Sequence, residues 1–183
     1  MNWLNNILIL VIALLVVFLE ATFEGVRRLA GAQFDLLPGL IVYTAMSARL
    51  GVVALAAVVS GLAYDAMSAN PLGVSVLPLF VAGLVIHQKR QLLLRDQVFA
   101  QLVLGFAASG AVPLLALLVL HSAGAEPLIG WGSLWQLTVM TLIGGLFTPV
   151  YFWLFDRVRR ALSYPRLKEI TFRPDREIDR GRT

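Results

Sequence analysis

Residues 34–90 read FDLLPGLIVYTAMSARLGVVALAAVVSGLAYDAMSANPLGVSVLPLFVAGLVIHQKR. Between Asp35 and Lys89, Arg49 and Asp65 are the only Asp, Glu, Lys or Arg residues. The apolar positions do not alternate strictly with polar ones, as the strands of a membrane β-barrel require. Backbone groups in lipid must then be satisfied within helices. The segment therefore predicts an all-α membrane protein.

The composition of the whole chain supports this class. Of its 183 residues, 58% are hydrophobic and 14% are charged, whereas soluble domains have about 45–50% apolar and about 25% charged residues. Because so few charges cannot form a water-facing surface, much of the exterior must face lipid. A soluble globular domain is excluded.

Charges divide the chain into uncharged runs that could cross a bilayer. There are six of these runs: Met1–Leu19, Leu36–Ala48, Leu50–Tyr64, Ala66–Ile86, Val98–Ala125 and Pro127–Phe155. We predict a polytopic bundle of six transmembrane helices in residues 1–162. At a rise of about 1.5 Å per residue, the second and third runs reach only roughly 20–23 Å across a core of about 30 Å. We expect these runs to recruit flanking residues or to thin the bilayer.

The positions of Lys and Arg predict the orientation, because positively charged short loops stay in the cytoplasm. With the N-terminus inside, thirteen basic residues fall on the cytoplasmic side, and only Arg27 and Arg28 lie outside. We therefore place both termini in the cytoplasm and the chain in the bacterial inner membrane. The alternative is five spans with one re-entrant segment, which would put the N-terminus outside.

The residues after Leu162 form a different region. Residues 163–183 alternate in charge, and nine of the fifteen basic residues lie between Arg157 and Arg182. We interpret 163–183 as a solvated cytoplasmic tail held near anionic membrane lipids. The basic residues lie beside hydrophobic runs, so no nucleic-acid partner is expected.

Asp65 is the most informative ionisable residue, because charges inside a membrane are costly. We place it where one helix ends and the next begins. Ser68 and Asn70 are predicted to cap the next helix, with Pro71 in its first turn and Asp65 accepting the freed N–H groups. Gly73 is expected to let another backbone approach closely. A structural role at this turn and a ligand or partner contact remain alternatives.

Asp35 and Pro38 show the same pattern of an acid followed by a proline in the first helical turn. The predicted topology puts Asp35 on the same side as Asp65. Together they either flank a small cavity or act as two unrelated caps. Glu20, Glu24 and Asp156 are expected to reach the membrane interface.

Small residues predict where helices pack closely. The pairs Ala57 with Gly61, Gly105 with Ser109, and Gly144 with Gly145 are expected to pack within this chain.

No catalytic residue, cofactor or metal is predicted. The chain has no cysteine, and its two histidines, His87 and His121, lie near helix ends on opposite sides of the membrane. Neither a triad nor a zinc site can be assembled from them. No phosphate-binding or dinucleotide-binding motif occurs. We therefore expect that the protein is not an enzyme.

The polar motifs resemble the MreD family of rod-shape-determining membrane proteins. The residues that carry this resemblance cover about a third of the chain and are Asp35-Leu36-Leu37-Pro38, Gly61-Leu62, Asp65, Ser68, Pro71-Leu72-Gly73, Gly83 and Lys89-Arg90. The size, the six-span layout and the cytoplasmic termini are similar too. Ala69 is a departure, because a glycine often follows the serine in this family.

The resemblance implies a non-catalytic scaffold subunit of the bacterial cell elongation complex. Such a subunit pairs with the bitopic protein MreC and is linked to the MreB cytoskeleton. The complex controls a SEDS glycosyltransferase and its class B penicillin-binding protein during peptidoglycan synthesis, and so sets rod shape. The bundle is also similar to the substrate-binding subunits of energy-coupling-factor vitamin transporters. The alternative is therefore a small-molecule-binding or transport subunit, since architecture does not settle function.

Overall fold

Six α-helices make up the computed structural model of the protein, which describes residues 3–22, 31, 33–68, 70–91, 97–124 and 130–162. The helices are α1 (Trp3–Thr22), α2 (Leu37–Ser47), α3 (Leu50–Met67), α4 (Val76–Lys89), α5 (Val98–Ser122) and α6 (Trp131–Leu162). These ranges contain no β-strand. The predicted tail, 163–183, lies outside the described residues, as do Glu24, Arg27, Arg28 and Arg95.

Four helices are long and apolar enough to cross a membrane: α1, α3, α5 and α6. The other two are shorter, with 11 residues in α2 and 14 in α4. The sequence and the fold thus both indicate a helical membrane protein. Six complete spans remain a prediction.

The short helix α2 forms the centre of the bundle. All ten of its residues from Leu37 to Met46 are buried, and α2 packs against each of the other five helices. Tyr43 stacks on Phe155 of α6 with ring centroids 4.1 Å apart, and the edge of Phe152 meets it at 5.1 Å. Because protein surrounds α2 on all sides, its length need not match the thickness of the bilayer.

Two basic side chains contact the last carbonyl groups of α2. The Nδ1 atom of His87 lies 3.0 Å from the carbonyl oxygen of Ala45. Arg90 donates a hydrogen bond of 3.0 Å from Nη1 to the carbonyl of Ala48. The last carbonyls of a helix have no partner within it, and cations there also interact favourably with the helix dipole. The end of α4 therefore holds the end of α2.

The boundary between α3 and α4 differs from the prediction. The charge of Asp65 predicted a helix end at this residue. Instead, α3 continues to Met67, and Asp65 lies within its last turn. The predicted run Ala66–Ile86 is not one helix, because α4 begins only at Val76. Arg49 does lie between two helices, as predicted. A buried carboxylate can remain in a helix when nearby backbone N–H groups bond to it, so charge alone misplaced this boundary.

The predicted small-residue contacts are confirmed for Gly61, Gly105, Ser109, Gly144 and Gly145. A Cβ added to Gly61 would lie 2.8 Å from Cα of Val76 at the start of α4. Gly105 of α5 lies against Thr148 of α6, and Ser109 lies against Gly144. These glycines let α3 approach α4 and let α5 approach α6.

Charge is divided between the two ends of the bundle. The helix α6 runs alongside α2 in the same direction, since Gly39 lies beside Thr148 and Tyr43 beside Phe155. Six basic residues in the described ranges therefore lie at the end where α2 finishes: Arg49, Lys89, Arg90, Arg157, Arg159 and Arg160. The acids Glu20, Asp35 and Asp65 lie towards the opposite end. This asymmetry is the one used to predict a cytoplasmic basic side.

Replacing Gly61 with alanine should destabilise the bundle, because the new Cβ would meet the backbone of Val76. Overpacking of this kind costs about 1–3 kcal/mol. Gly51, on the same helix, is the matched control, since nothing lies within 4 Å of its added Cβ. There alanine should be neutral or stabilising, by up to about 1 kcal/mol of helix propensity. Thermal unfolding in detergent would measure both, and equal midpoints would contradict the close contact.

Candidate functional site

Two carboxylates bind the first N–H groups of α2. Asp35 accepts a hydrogen bond of 3.0 Å at Oδ1 from the Leu37 N–H, and Pro38 lies in the first turn. Glu20, near the end of α1, accepts a short hydrogen bond from the Leu36 N–H. The predicted helix start at Asp35 and Pro38 is confirmed. Glu20, which was predicted to reach the membrane interface, is half-buried and contacts the start of α2.

Asp65 holds the turn that precedes α4. It is 1% exposed, and its Oδ2 accepts hydrogen bonds from the Gly73 N–H at 2.8 Å and the Ser75 N–H at 3.1 Å. The prediction that Asp65 accepts freed N–H groups is confirmed. One side chain on α3 thereby fixes a turn eight to ten residues further along the chain.

Three details of this turn correct the sequence predictions. Ser68 and Asn70 do not cap α4, whose N-cap residue is Ser75. Instead, the Ser68 hydroxyl donates to the Asp65 carbonyl at 3.3 Å and accepts the Asn70 N–H at 3.4 Å. Pro71 lies before the turn and not in the first turn of α4. All three predictions assumed that α4 begins soon after Ser68.

Gly73 is needed for its backbone conformation and not for a close approach. Its φ is +94°, and nothing lies within 4 Å of an added Cβ. L-residues rarely adopt this conformation, whereas glycine does so readily. The expected backbone contact occurs at Gly61. Ala69, the departure from the family pattern, lies outside the described residues.

The acids Glu20, Asp35 and Asp65 come together around Tyr64. Each of them interacts electrostatically with the Tyr64 side chain. The Tyr64 hydroxyl also accepts a hydrogen bond of 3.4 Å from Nε2 of Gln33. Burial raises the pKa of the Asp35 carboxyl to about 6, although the hydrogen bond from Leu37 opposes the shift. Three separate parts of the chain, the end of α1, residues 33–35 and the end of α3, thus meet at one polar centre.

A cavity of about 350 Å³ opens beside this centre. Its polar wall comes from the start of α2 and the α3–α4 turn and consists of Gln33, Asp35, Tyr64, Ser68, Asn70 and Ser75. Its other wall comes mainly from α5 and α6, where Val112, Leu117, Leu120, Leu137 and Met140 are apolar and Ser133 and Gln136 are polar. The predicted cavity is therefore present, with Asp35 on its wall. Asp65 is not among the lining residues and serves the adjacent turn.

Sequence reasoning missed the α5 and α6 wall. Ser133 and Gln136 are three residues apart in an otherwise apolar run, so they share a helix face. That spacing was the available signal. The sequence could not show that this face turns towards Asp35, more than ninety residues earlier.

The described ranges contain no group of three or more His, Asp or Glu residues placed to hold a metal ion. The carboxylates at the polar centre bind backbone N–H groups. The arrangement can organise helix ends and can receive a ligand in the cavity. Comparisons with family models, curated proteins and solved structures gave no significant match.

Replacing Asp65 with alanine should destabilise the α3–α4 turn, because two N–H groups would lose their acceptor. Each buried group left unsatisfied costs about 1–3 kcal/mol. Asp65→Asn keeps an oxygen acceptor and should lose much less. Denaturant unfolding, together with proteolysis of residues 70–75, would measure the difference. Asp156→Ala is the control, since Asp156 forms a partly exposed ion pair with Arg159; equal losses in Asp65→Ala and Asp65→Asn would contradict the assignment.

Proposed function

We propose that the chain is a non-catalytic scaffold subunit of the bacterial cell elongation complex, resembling MreD. In this proposal it spans the inner membrane six times, with both termini in the cytoplasm. It binds an MreC-like bitopic protein and acts with MreB, a SEDS glycosyltransferase and a class B penicillin-binding protein in peptidoglycan synthesis and rod shape.

The observation that carries the proposal is the structural use of the family-like residues. Asp35 starts the central helix, Gly61 accommodates α4, and Asp65 fixes the turn to α4. Gly83 also serves packing, since its added Cβ would lie 2.6 Å from Val53. All of these residues hold helices or turns of the bundle together. This supports a role in which the protein presents its outer helix faces to partners.

The outer face of α3 is a suitable place to look for the partner. Leu55, Val58 and Leu62 are 48%, 41% and 42% exposed and follow each other at helical spacing. Leu72, in the following turn, is 71% exposed. In a membrane, such a face contacts either lipid or another helix.

Photo-crosslinking in cells would test this proposal directly. A photoreactive residue at Leu55, Leu62 or Leu72 should capture one bitopic membrane protein, whereas the same residue at the buried positions Val53 and Ala56 should not. Depletion of the protein should round the cells. Labelling by lipid alone, or normal rod shape after clean deletion with no paralogue present, would count against the scaffold.

The cavity favours a second candidate, a small-molecule-binding or transport subunit. Its volume of about 350 Å³ lies at the lower end of the range of about 300–1,000 Å³ for ligand pockets. The similarity to vitamin-binding subunits of energy-coupling-factor transporters suggests the class of compound to test.

Thermal stabilisation of the purified protein by a vitamin-like compound would support the second candidate. A ligand present at a hundred times its Kd should add about 2.7 kcal/mol to the free energy of unfolding. Gly73→Ala serves as a control because it alters the nearby turn without lining the cavity. Absence of stabilisation across a panel of such compounds would argue against vitamin binding and leave the scaffold proposal unaffected.

A further inference from the structure

Asp35 faces the cavity, and only one of its two carboxylate oxygens accepts a hydrogen bond from the described residues. It is 9% exposed and lines the cavity wall. Within the described part of the chain, Oδ1 accepts the hydrogen bond from Leu37. Oδ2 is therefore available to an occupant of the cavity. A buried carboxylate is costly unless a cation or further hydrogen bonds accompany it.

Among the residues that the structure describes, no basic side chain lines this cavity. None of the described lining residues is Lys, Arg or His, and the six described basic residues lie at the opposite end of the bundle. The local potential therefore favours a cationic occupant.

The other polar groups on this wall are hydroxyls and amides, and each amide offers a carbonyl oxygen as well as an NH2 donor. The Gln33 amide donates from Nε2 to Tyr64, which leaves its carbonyl oxygen available. Ser68 and Asn70 add a hydroxyl and an amide at the same wall. A primary ammonium group has three donors and no acceptor. It matches this wall better than an anion does.

The opposite wall selects for an apolar body. Val112, Leu117 and Leu120 of α5 face the cavity together with Leu137 and Met140 of α6. A fully hydrated metal ion would gain nothing from this wall. A hydrocarbon attached to the cation would bury apolar surface against it.

From these walls we infer that the cavity binds a primary ammonium group carried on an apolar body, with Asp35 as its counter-ion. The ammonium comes either from a free alkylamine, whose hydrocarbon the apolar wall covers, or from the ethanolamine headgroup of a membrane lipid, whose phosphate must then stay outside the cavity. A cavity of about 350 Å³ accommodates a headgroup or a short amine, but not a whole phospholipid. This inference deepens the second candidate and does not depend on the scaffold proposal.

The test uses the full chain, delipidated and then reconstituted into nanodiscs of phosphatidylglycerol with or without phosphatidylethanolamine. Native mass spectrometry would measure retained lipid. In a second arm, hexylamine and hexanol would be compared as thermal stabilisers in phosphatidylglycerol alone. Hexanol has the same apolar body without the charge, so it controls for burial of the chain.

Two variants should weaken ammonium binding roughly tenfold or more, since each removes a main contact. Asp35→Asn removes the charge but keeps an acceptor for Leu37. Ala116→Phe fills the apolar side of the cavity and leaves Asp35 intact. Asp156→Asn, which removes a charge at the other end of the bundle, should bind like the wild type.

Retention of phosphatidylethanolamine that depends on Asp35 would support the site and identify a lipid as its source. Stabilisation by hexylamine alone, with the same dependence, would support the site and identify a free amine. Equal effects of hexylamine and hexanol, or binding that Asp35→Asn leaves unchanged, would overturn the inference. Co-purification of the bitopic partner with the Asp35→Asn variant would be scored separately, so failure of the site would remain distinct from failure of the scaffold.

Discussion

The structure depends on one requirement: backbone N–H groups inside a membrane bundle need acceptors from the protein, because lipid offers none. At the start of α2 and in the turn before α4, both inside the fold, backbone N–H groups have no carbonyl partner within a helix. Glu20 and Asp35 satisfy the first site, and Asp65 satisfies the second. Burying a carboxylate in a membrane protein costs free energy, and these three lie where a helix begins or the chain turns and backbone N–H groups need an acceptor.

With its ends satisfied, α2 can be short and still occupy the centre. Carboxylates bind its first N–H groups, and His87 and Arg90 reach its last carbonyls. The surrounding helices cover its sides, helped by glycines that permit close contact and by the stacking of Tyr43 on Phe155. The same arrangement leaves a cavity beside the start of α2, between the α3–α4 turn and the α5–α6 pair. The carboxylate Asp35 therefore serves both the core, by binding the start of α2, and the candidate site, by lining the cavity.

Much of the fold could be predicted from where charge interrupts the hydrophobic sequence. Each of the six apolar runs overlaps mainly one of the six helices in the described ranges, and Arg49 lies at a turn. Asp65 failed as a boundary marker, because a carboxylate bonded to Gly73 and Ser75 can stay within a helix. Gly73 was predicted to allow a close helix contact, but it is needed for a positive φ. The sequence could not separate these two roles, because both favour glycine. Asp35 was placed beside a cavity correctly, whereas Asp65 supports that cavity from behind.

By itself, the sequence determined that the protein is a helical membrane protein, most of the sites where helices approach closely, and the roles of Asp35 and Asp65 as acceptors for backbone N–H groups. Each of these follows from local composition or from spacing of a few residues. Only the tertiary structure decided that α2 is enclosed, that Glu20 reaches Leu36, and that the faces of α5 and α6 close a cavity over Asp35. Those contacts join segments distant in the chain, and in a uniformly apolar sequence many pairings bury hydrocarbon equally well. The choice among them is made by shape and by the few polar groups that must find partners.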